Sequence, residues 1–155
     1  MELSVKNARS IPTVTITDCM PTLEEFIAIS KYGARVEFAP KMVEAISANR
    51  RLLDKFLEEG RIIYGVTTGF GENVRYTVSP EDASRLQENI VRTHSVSVGE
   101  PLDREQARAV MLMTILNDGK GYSGIRIETL DLIRQMLEKP TRLNMTASLR
   151  TLCWD

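Results

Sequence analysis

One stretch of the sequence, residues 109–116, restricts the fold more than any other. Seven of its eight residues are apolar, with Thr114 as the exception. The stretch lies in a segment that is predicted to be helical from Asp103 to about Leu116, and a helix that is apolar nearly all round is buried on all sides. A chain of 155 residues has room for one core. This helix therefore favours a partner, or further chain, that covers its remaining face.

Local start and stop signals divide the rest of the chain into short elements. Thr22 and Glu25 form a capping-box pattern, and Ser79 followed by proline is typical of a helix start. Alternation of apolar and polar residues indicates strands. The predicted fold is mainly α with a few short strands: strands at residues 11–17 and 35–38, an extended segment at 61–66, and helices from 23 to about 31, from 40 to 59, from 80 to near 94, from 103 to about 116 and from 128 to 138.

Apolar residues at helical spacing predict which helix faces are buried. This patterning is lost in about the last fifteen residues. The predicted inward residues are Val43, Ile46, Leu53, Phe56 and Leu57 in the second helix, Leu86, Ile90 and Val91 in the third, and Leu130, Ile133, Met136 and Leu137 in the last.

The composition excludes several classes of function. Lys and Arg number 20 and Asp and Glu 21, so the net charge of −1 gives no field that would attract nucleic acid or an anionic membrane. No apolar run is long enough to span a bilayer and no signal-peptide pattern begins the chain, so a cytoplasmic protein is expected. Two cysteines and one histidine are too few for a disulfide framework or a structural zinc site, and no metal is expected.

The Gly-rich segment 119–124 matches the pattern GxGxxG literally. A dinucleotide site requires a strand before this pattern and a helix after it. Because a helix precedes it here, the segment is interpreted as an interhelix loop whose glycines adopt positive φ. Beside it, the guanidinium of Arg126 has two alternative partners, a substrate carboxylate or a structural glutamate.

A second Gly-rich segment, residues 64–71, combines three glycines, two threonines and two aromatic residues. This composition is unusual in a simple connector, because glycine loses much entropy on folding and Tyr and Phe are usually buried. The segment is either a binding or catalytic loop or a packed loop of the core. His94, near the end of the third helix, has similar alternatives: a surface or core residue, or a functional one.

Four motifs carry a resemblance to a known family: YGVTTGFG at residues 64–71, NIVRTHS at 89–95, VGEP at 98–101 and GYSGIR at 121–126. In order and spacing they resemble the N-terminal region of the aromatic amino acid ammonia-lyases and aminomutases, with histidine and tyrosine ammonia-lyases nearest. The resemblance reaches to about Lys139 and covers only the first part of a much longer family protein. It implies an ammonia-lyase-like N-terminal helical domain at residues 1–139 and a divergent tail at 140–155.

The resemblance also implies roles for single residues. Tyr64 matches the family's catalytic tyrosine, which acts from a mobile loop in proton transfer at the substrate β-carbon, and a phenol needs a positive electrostatic setting to act as a base. His94 matches the histidine beside the substrate side chain, where an imidazole favours histidine or tyrosine over phenylalanine. Loop and support roles fall to Gly65, Thr67, Gly69, Phe70, Gly71, Ser123, Gly124 and Arg126.

Two departures from the family pattern concern the chemistry. The family usually has Arg and Asn where this chain has Thr114 and Leu116. The family also forms a methylidene-imidazolone electrophile from an Ala-Ser-Gly triplet, whereas here Ala147 and Ser148 are followed by Leu149 and no such triplet occurs. No cofactor is therefore expected in this chain, and the tail is interpreted as a divergent end, a frameshift or an artificial boundary.

Three hypotheses about function follow from these features. The first is an N-terminal domain or truncated form of a lyase that converts histidine or tyrosine to the unsaturated acid, without activity on its own. The second is a non-catalytic module that binds an amino acid or a protein. The third is a self-associating helical module, a homo-oligomer held together by the apolar stretch 109–116.

Overall fold

The computed structural model describes residues 7–95 and 99–139. Within these residues the fold has five helices and two short strands, which confirms the prediction of a mainly α protein. The elements are β1 (Thr13–Ile16), α1 (Leu23–Ser30), β2 (Arg35–Phe38), α2 (Pro40–Glu58), α3 (Pro80–His94), α4 (Arg104–Asp118) and α5 (Ile127–Glu138), with short 3-10 turns at Ala8–Ser10 and Gly71–Arg75.

The two strands form a parallel pair connected by α1. Thr13 is opposite Arg35 and Ile16 is opposite Phe38, so the register continues without a break over all four residues of each strand. The inward side chains of both strands are buried, among them Val14, Ile16 and Val36.

The tail prediction for residues 140–155 lies outside the described residues.

Helix starts follow the local signals in the sequence. The Thr22 N–H donates to the Glu25 carboxylate at 2.8 Å while the Glu25 N–H donates to the Thr22 hydroxyl at 3.3 Å, which confirms the predicted capping box of α1. The Ser79 hydroxyl accepts from the Asp82 N–H at 3.2 Å and caps α3. These bonds satisfy backbone donors that the first helical turn leaves without partners.

The chain divides into two units, which are described separately. The described part of the first unit is residues 7–53 and 102–139, and that of the second is residues 54–95 and 99–101. The first unit contains an apolar core built from β1, β2, α1, α4, α5 and the first part of α2. No helix in the described residues is long and apolar enough to cross a membrane.

Helix α4 packs against α1 and α5 in the first unit. Its buried apolar residues are Met111, Leu112, Ile115 and Leu116, whereas Val110 and Met113 are 38% and 46% exposed. The described chain alone therefore does not bury this helix on all sides, and the partner or further chain that would cover its remaining face stays a prediction. One face is covered by α1 and α5, and the other carries apolar side chains at the surface.

A buried arginine, Arg108, connects α4 to the ends of two other helices. Its side chain is buried, and its guanidinium donates to the carbonyl oxygens of Ser30 at 3.0 Å and Ile29 at 2.7 Å, and to that of Leu137. These carbonyls belong to the last turns of α1 and α5, where helix carbonyls lack backbone partners and a cation is favourable. Burial, together with the nearby charge of Arg104, lowers the pKa of Arg108.

The Gly-rich segment 119–124 joins α4 to α5 and contacts α2. The Gly124 N–H donates to the Asn49 side-chain oxygen at 2.7 Å, and its carbonyl accepts from Arg50 at 3.3 Å. Gly124 has φ +68°, and a Cβ there would lie 2.5 Å from the Leu53 Cδ2, so the position requires glycine. A helix rather than a strand precedes the segment, which confirms that it is an interhelix loop.

Two local expectations differ from the structure. Residues 61–66 form no strand, because the N–H groups of Val66 and Thr67 both donate to the Ile63 carbonyl and close a turn. Val91, predicted to face inward, is 66% exposed. Its neighbours Leu86 and Ile90 are half-buried, as expected for the covered face of α3.

Candidate active site

Tyr64 lies on a turn whose second half folds back onto its ring. Its hydroxyl accepts a hydrogen bond from the Gly71 N–H at 3.2 Å. The ring meets Phe70 edge to face, with centroids 6.0 Å apart and an interplanar angle of 70°. Tyr64 is 52% exposed, so a phenol oxygen held by the loop remains accessible to a ligand.

Two threonine hydroxyls hold the turn that carries Tyr64. The Thr67 hydroxyl accepts from the Ile63 N–H at 2.7 Å and donates to the Arg61 carbonyl at 3.1 Å. The Thr68 hydroxyl accepts from the Gly65 N–H at 3.2 Å and donates to the Gly69 carbonyl at 3.0 Å. Short polar side chains that bond nearby backbone groups favour such turns over helix or strand.

The segment after the turn is closed by a short antiparallel contact. Thr68 and Thr77 form a bridge, supported by bonds from the Gly69 N–H to the Tyr76 carbonyl at 3.1 Å and from the Val78 N–H to the Thr67 carbonyl at 2.8 Å. The structure therefore brings together Tyr64, Gly65, Thr67, Gly69, Phe70 and Gly71 in one closed loop.

Gly65 follows Tyr64 with φ +71°, a conformation that favours glycine. A Cβ at this position would lie 2.9 Å from the Phe70 Cε1, so any larger residue would collide with the ring that packs on Tyr64. The Gly65 carbonyl accepts from the Gln87 side-chain nitrogen at 3.4 Å. This bond connects the loop to α3.

Helix α3 carries Gln87 and, seven residues later, His94. Seven residues are close to two full turns, so both lie on the same side of the helix, about 10 Å apart along its axis. The face of α3 that contacts the Tyr64 loop is therefore the face on which His94 lies.

His94 is exposed at the end of α3, and its ring folds back onto its own helix. Its Nδ1 lies 3.0 Å from the Ile90 carbonyl and 3.1 Å from the Thr93 hydroxyl, which donates to the Asn89 carbonyl at 2.8 Å. A carbonyl only accepts, so the contacts assign the proton of the neutral ring to Nδ1. Nε2 is then an acceptor available to a ligand.

A phenol needs a positive electrostatic setting to act as a base, and the structure brings a neutral donor, the Gly71 N–H, to the Tyr64 hydroxyl. Two cations of this part of the chain have partners of their own: Arg61 lies 2.7 Å from Glu59 and 4.1 Å from the centre of the Phe56 ring, and Arg92 lies 2.6 Å from Glu88. In this part of the chain, the group that contacts the phenol oxygen is the Gly71 N–H.

The remaining expected support residues belong to the first unit. Gly124 contacts α2 as described above, whereas Ser123 and Arg126 are exposed. Arg126 begins α5 through its backbone, and its carbonyl accepts from the Thr129 N–H at 3.1 Å. No carboxylate of the described residues pairs with its guanidinium, so the structural glutamate is not found there and the substrate carboxylate stays a prediction. No cluster of metal-ligating side chains occurs among those residues.

Sequence reasoning missed Thr68 and Gln87 as parts of this site. Thr68 had a usable signal, since a threonine in a Gly-rich segment can bond neighbouring backbone groups through its hydroxyl. Gln87 had none, because its contact joins a helix to a loop twenty-two residues earlier.

Comparison with known proteins places this chain in a family. A family model described as aromatic amino acid lyase matches residues 22–141. Histidine ammonia-lyases from Streptococcus sanguinis and Streptococcus pyogenes are each 44% identical over 118 residues. Those alignments cover 76% of this chain and 23% of each relative, so the chain spans about a quarter of the length of these relatives.

Solved structures agree with the sequence match. A tyrosine aminomutase from Streptomyces globisporus superimposes with a TM-score of 0.78 at 28% identity, over 82% of this chain and 24% of that one. A histidine ammonia-lyase from Trypanosoma cruzi gives 0.72 at 32% identity, over 81% and 24%. Because the family model covers well over half of its residues, this chain belongs to the aromatic amino acid lyase family.

Proposed function

We propose that this chain is the N-terminal domain, or a truncated form, of an aromatic amino acid ammonia-lyase that acts on histidine or tyrosine. In that enzyme the substrate loses ammonia and a β-proton and becomes the unsaturated acid. Tyr64 acts in proton transfer at the β-carbon, and His94 contacts the substrate side chain. The observation that carries the proposal is the loop geometry: the Tyr64 hydroxyl is held by the Gly71 N–H and is accessible.

The contact with Gly71 gives Tyr64 a chemical advantage. A backbone N–H that points at the phenol oxygen stabilises the negative charge that develops there as the proton leaves. The donor is fixed by the 3-10 turn Gly71–Arg75 and needs no rearrangement during the reaction. The same loop keeps the Tyr64 ring against Phe70, while the residue as a whole is 52% exposed.

The tautomer of His94 supports a role in substrate choice. With the proton on Nδ1, the free Nε2 accepts from the N–H of a substrate imidazole or the O–H of a substrate phenol. Phenylalanine offers neither donor, and it would leave Nε2 without a partner. Histidine and tyrosine are therefore the proposed substrates.

The residues of this sequence do not fit the electrophile that the family uses. The 155 residues contain no Ala-Ser-Gly triplet from which a methylidene-imidazolone could form. At the two positions where the family has polar anchors, the Thr114 hydroxyl donates to the Val110 carbonyl at 3.1 Å and Leu116 is buried. We therefore confine the proposal for this chain to substrate binding and proton transfer, and expect no ammonia elimination by the chain alone.

Calorimetric titration of the 155-residue protein with L-histidine and L-tyrosine tests the proposal. We expect the protein to bind both amino acids. His94→Phe removes one hydrogen bond to each ligand and is expected to weaken the affinity about tenfold. L-Phenylalanine is the control ligand. Its side chain makes no hydrogen bond to His94, so His94→Phe is not expected to reduce its affinity. Binding that ignores His94, or formation of urocanate or coumarate by the chain alone, contradicts the proposal.

The alternative is a non-catalytic module that binds an amino acid or associates with itself. One observation favours self-association: Val110 and Met113, three residues apart on α4, expose apolar side chains. A second copy of the chain is the occupant that this alternative requires, and it makes the protein a homo-oligomer.

A further inference from the structure

We infer that Thr68 and Gln87 are positioning residues for Tyr64, acting together on the peptide groups of Gly65. The inference rests on the proposed function only in taking Tyr64 as the residue to be positioned. Neither side chain contacts the phenol in the structure, so both act through the backbone of the loop.

The backbone of Gly65 is held from two directions by side chains. Its N–H donates to the Thr68 hydroxyl at 3.2 Å, and its carbonyl accepts from the Gln87 side-chain nitrogen at 3.4 Å. Neither group has a backbone partner among the described residues. A glycine with φ +71° is otherwise free to adopt other conformations, so these two bonds select the one observed.

Thr68 is suited to this role because it is buried while the loop around it is not. It is 1% exposed, and Gly69 is the other residue of 54–95 described as buried. A buried hydroxyl requires hydrogen-bond partners. The Thr68 hydroxyl finds them at Gly65 and Gly69, one on each side of the turn.

Gln87 extends the arrangement to α3. Its side chain is exposed, so its removal leaves no cavity. Its bond to the Gly65 carbonyl connects α3 to the loop through a side chain. Because His94 lies on the same side of α3, the bond also fixes Tyr64 relative to the residue proposed to contact the substrate side chain.

The orientation of Tyr64 depends on the Gly65 conformation for a steric reason. The observed φ places Gly65 against Phe70, and the Phe70 ring packs edge to face on Tyr64. A change at Gly65 therefore moves Phe70, the Tyr64 ring and the bond from the Gly71 N–H to the Tyr64 hydroxyl together. The hydrogen exchange of the Gly71 N–H therefore measures how well Tyr64 is positioned, although the Gly71 N–H bonds neither Thr68 nor Gln87.

Backbone hydrogen exchange and ring contacts, measured by NMR on the full chain, test the inference. Thr68→Val keeps the shape and removes the hydroxyl, Thr68→Ser keeps the hydroxyl, and Gln87→Met removes the amide donor. Gln135→Met, the same substitution on α5 in the other unit, is the matched control. Tyr64→Phe gives the exchange rate of the Gly71 N–H when its acceptor is absent.

We expect the Gly71 N–H to exchange about tenfold faster in Thr68→Val and Gln87→Met, approaching the rate in Tyr64→Phe, and the Tyr64–Phe70 ring contact to weaken. Thr68→Ser and Gln135→Met keep the original rate. If Thr68→Val loses the protection of α3 altogether, Gln87→Met decides the outcome. An unchanged exchange rate of the Gly71 N–H in Gln87→Met overturns the inference.

The outcome does not depend on whether the chain binds an amino acid. Failure of the proposed function appears in calorimetry, as binding that ignores His94. Failure of the positioning appears in the exchange rates. Each can therefore fail while the other holds.

Discussion

Arg108 is a buried cation that lies among backbone carbonyls rather than against a carboxylate. Its planar guanidinium reaches the last turns of two helices at once, which a single-point ammonium does not match. Sequence patterning did not single it out, because its acceptors come from α1, 78 and 79 residues away along the chain, and from α5, 29 residues away. Only the packed arrangement creates the binding site for its side chain.

Substitution of Arg108 is expected to destabilise the first unit. Arg108→Met leaves buried carbonyls without donors and lowers the free energy of unfolding by about 2–4 kcal/mol. Arg108→Lys restores part of this loss, because an ammonium reaches fewer of the carbonyls. Urea unfolding followed by circular dichroism measures both variants.

Arg104, one turn earlier on α4, supplies the control for this experiment. It is exposed, so Arg104→Met is expected to change the free energy of unfolding by less than about 0.5 kcal/mol. An Arg108→Met protein as stable as the parent protein shows that the carbonyls find water or other donors, and that the arginine is dispensable.

At the scale of elements, the sequence predicted what depends on neighbouring residues. The starts of α1 and α3 were predicted because Thr22 and Ser79 bond backbone groups three residues away. The parallel pairing of β1 with β2 was not predicted, since register depends on contacts across α1. Val91 was misplaced because helical spacing shows which residues share a face, and packing decides whether it is covered.

The same distinction applies to the candidate site. Tyr64 and Gly71 were named because their motif is contiguous, and the closed loop follows from threonine and glycine chemistry. The bond from Gln87 was not predictable, because it requires the docking of α3 on that loop.

Helix α5 contains a charge cluster that makes stability depend on pH. Hydrogen bonds from Arg134 and then Gln135 lower the pKa of Asp131 below its ordinary value of 3.8. A carboxylate whose pKa is depressed by folding stabilises the folded state above its unfolded pKa, and this contribution is lost as the pH falls below that value. The side chain of Asp131 is 40% exposed, so solvent screening limits the contribution to about 0.3–1 kcal/mol.

Asp131→Asn therefore lowers the free energy of unfolding at neutral pH by about 0.3–1 kcal/mol and flattens its decline below pH 4. Arg134→Met has a similar effect, and the double variant loses less than the sum of the two single changes, since both remove the contact between Arg134 and Asp131. Urea titrations between pH 7 and 3 make the measurement. Fully additive losses at neutral pH would show that the pair does not interact.

At the scale of the whole molecule, α4 has a face that the described residues leave uncovered. Val110 and Met113 lie on it, while the opposite face is buried against α1 and α5. The same chain keeps a mixed surface of nearly equal positive and negative charge, which offers no long-range repulsion between copies. Association through this apolar face is therefore the expected behaviour of the chain in solution.

Sedimentation velocity over a range of concentrations is expected to show dimers or larger species, and Val110→Gln combined with Met113→Gln shifts them to monomer because the contact loses its apolar area. Met20→Gln is the control, since Met20 is also exposed, at 60%, but lies outside α4. A variant that associates as strongly as the parent protein places the contact elsewhere, and a parent protein that remains monomeric removes the self-associating module as an alternative function. Neither result changes the expectation for Tyr64 and His94, whose loop and helix belong to the other unit.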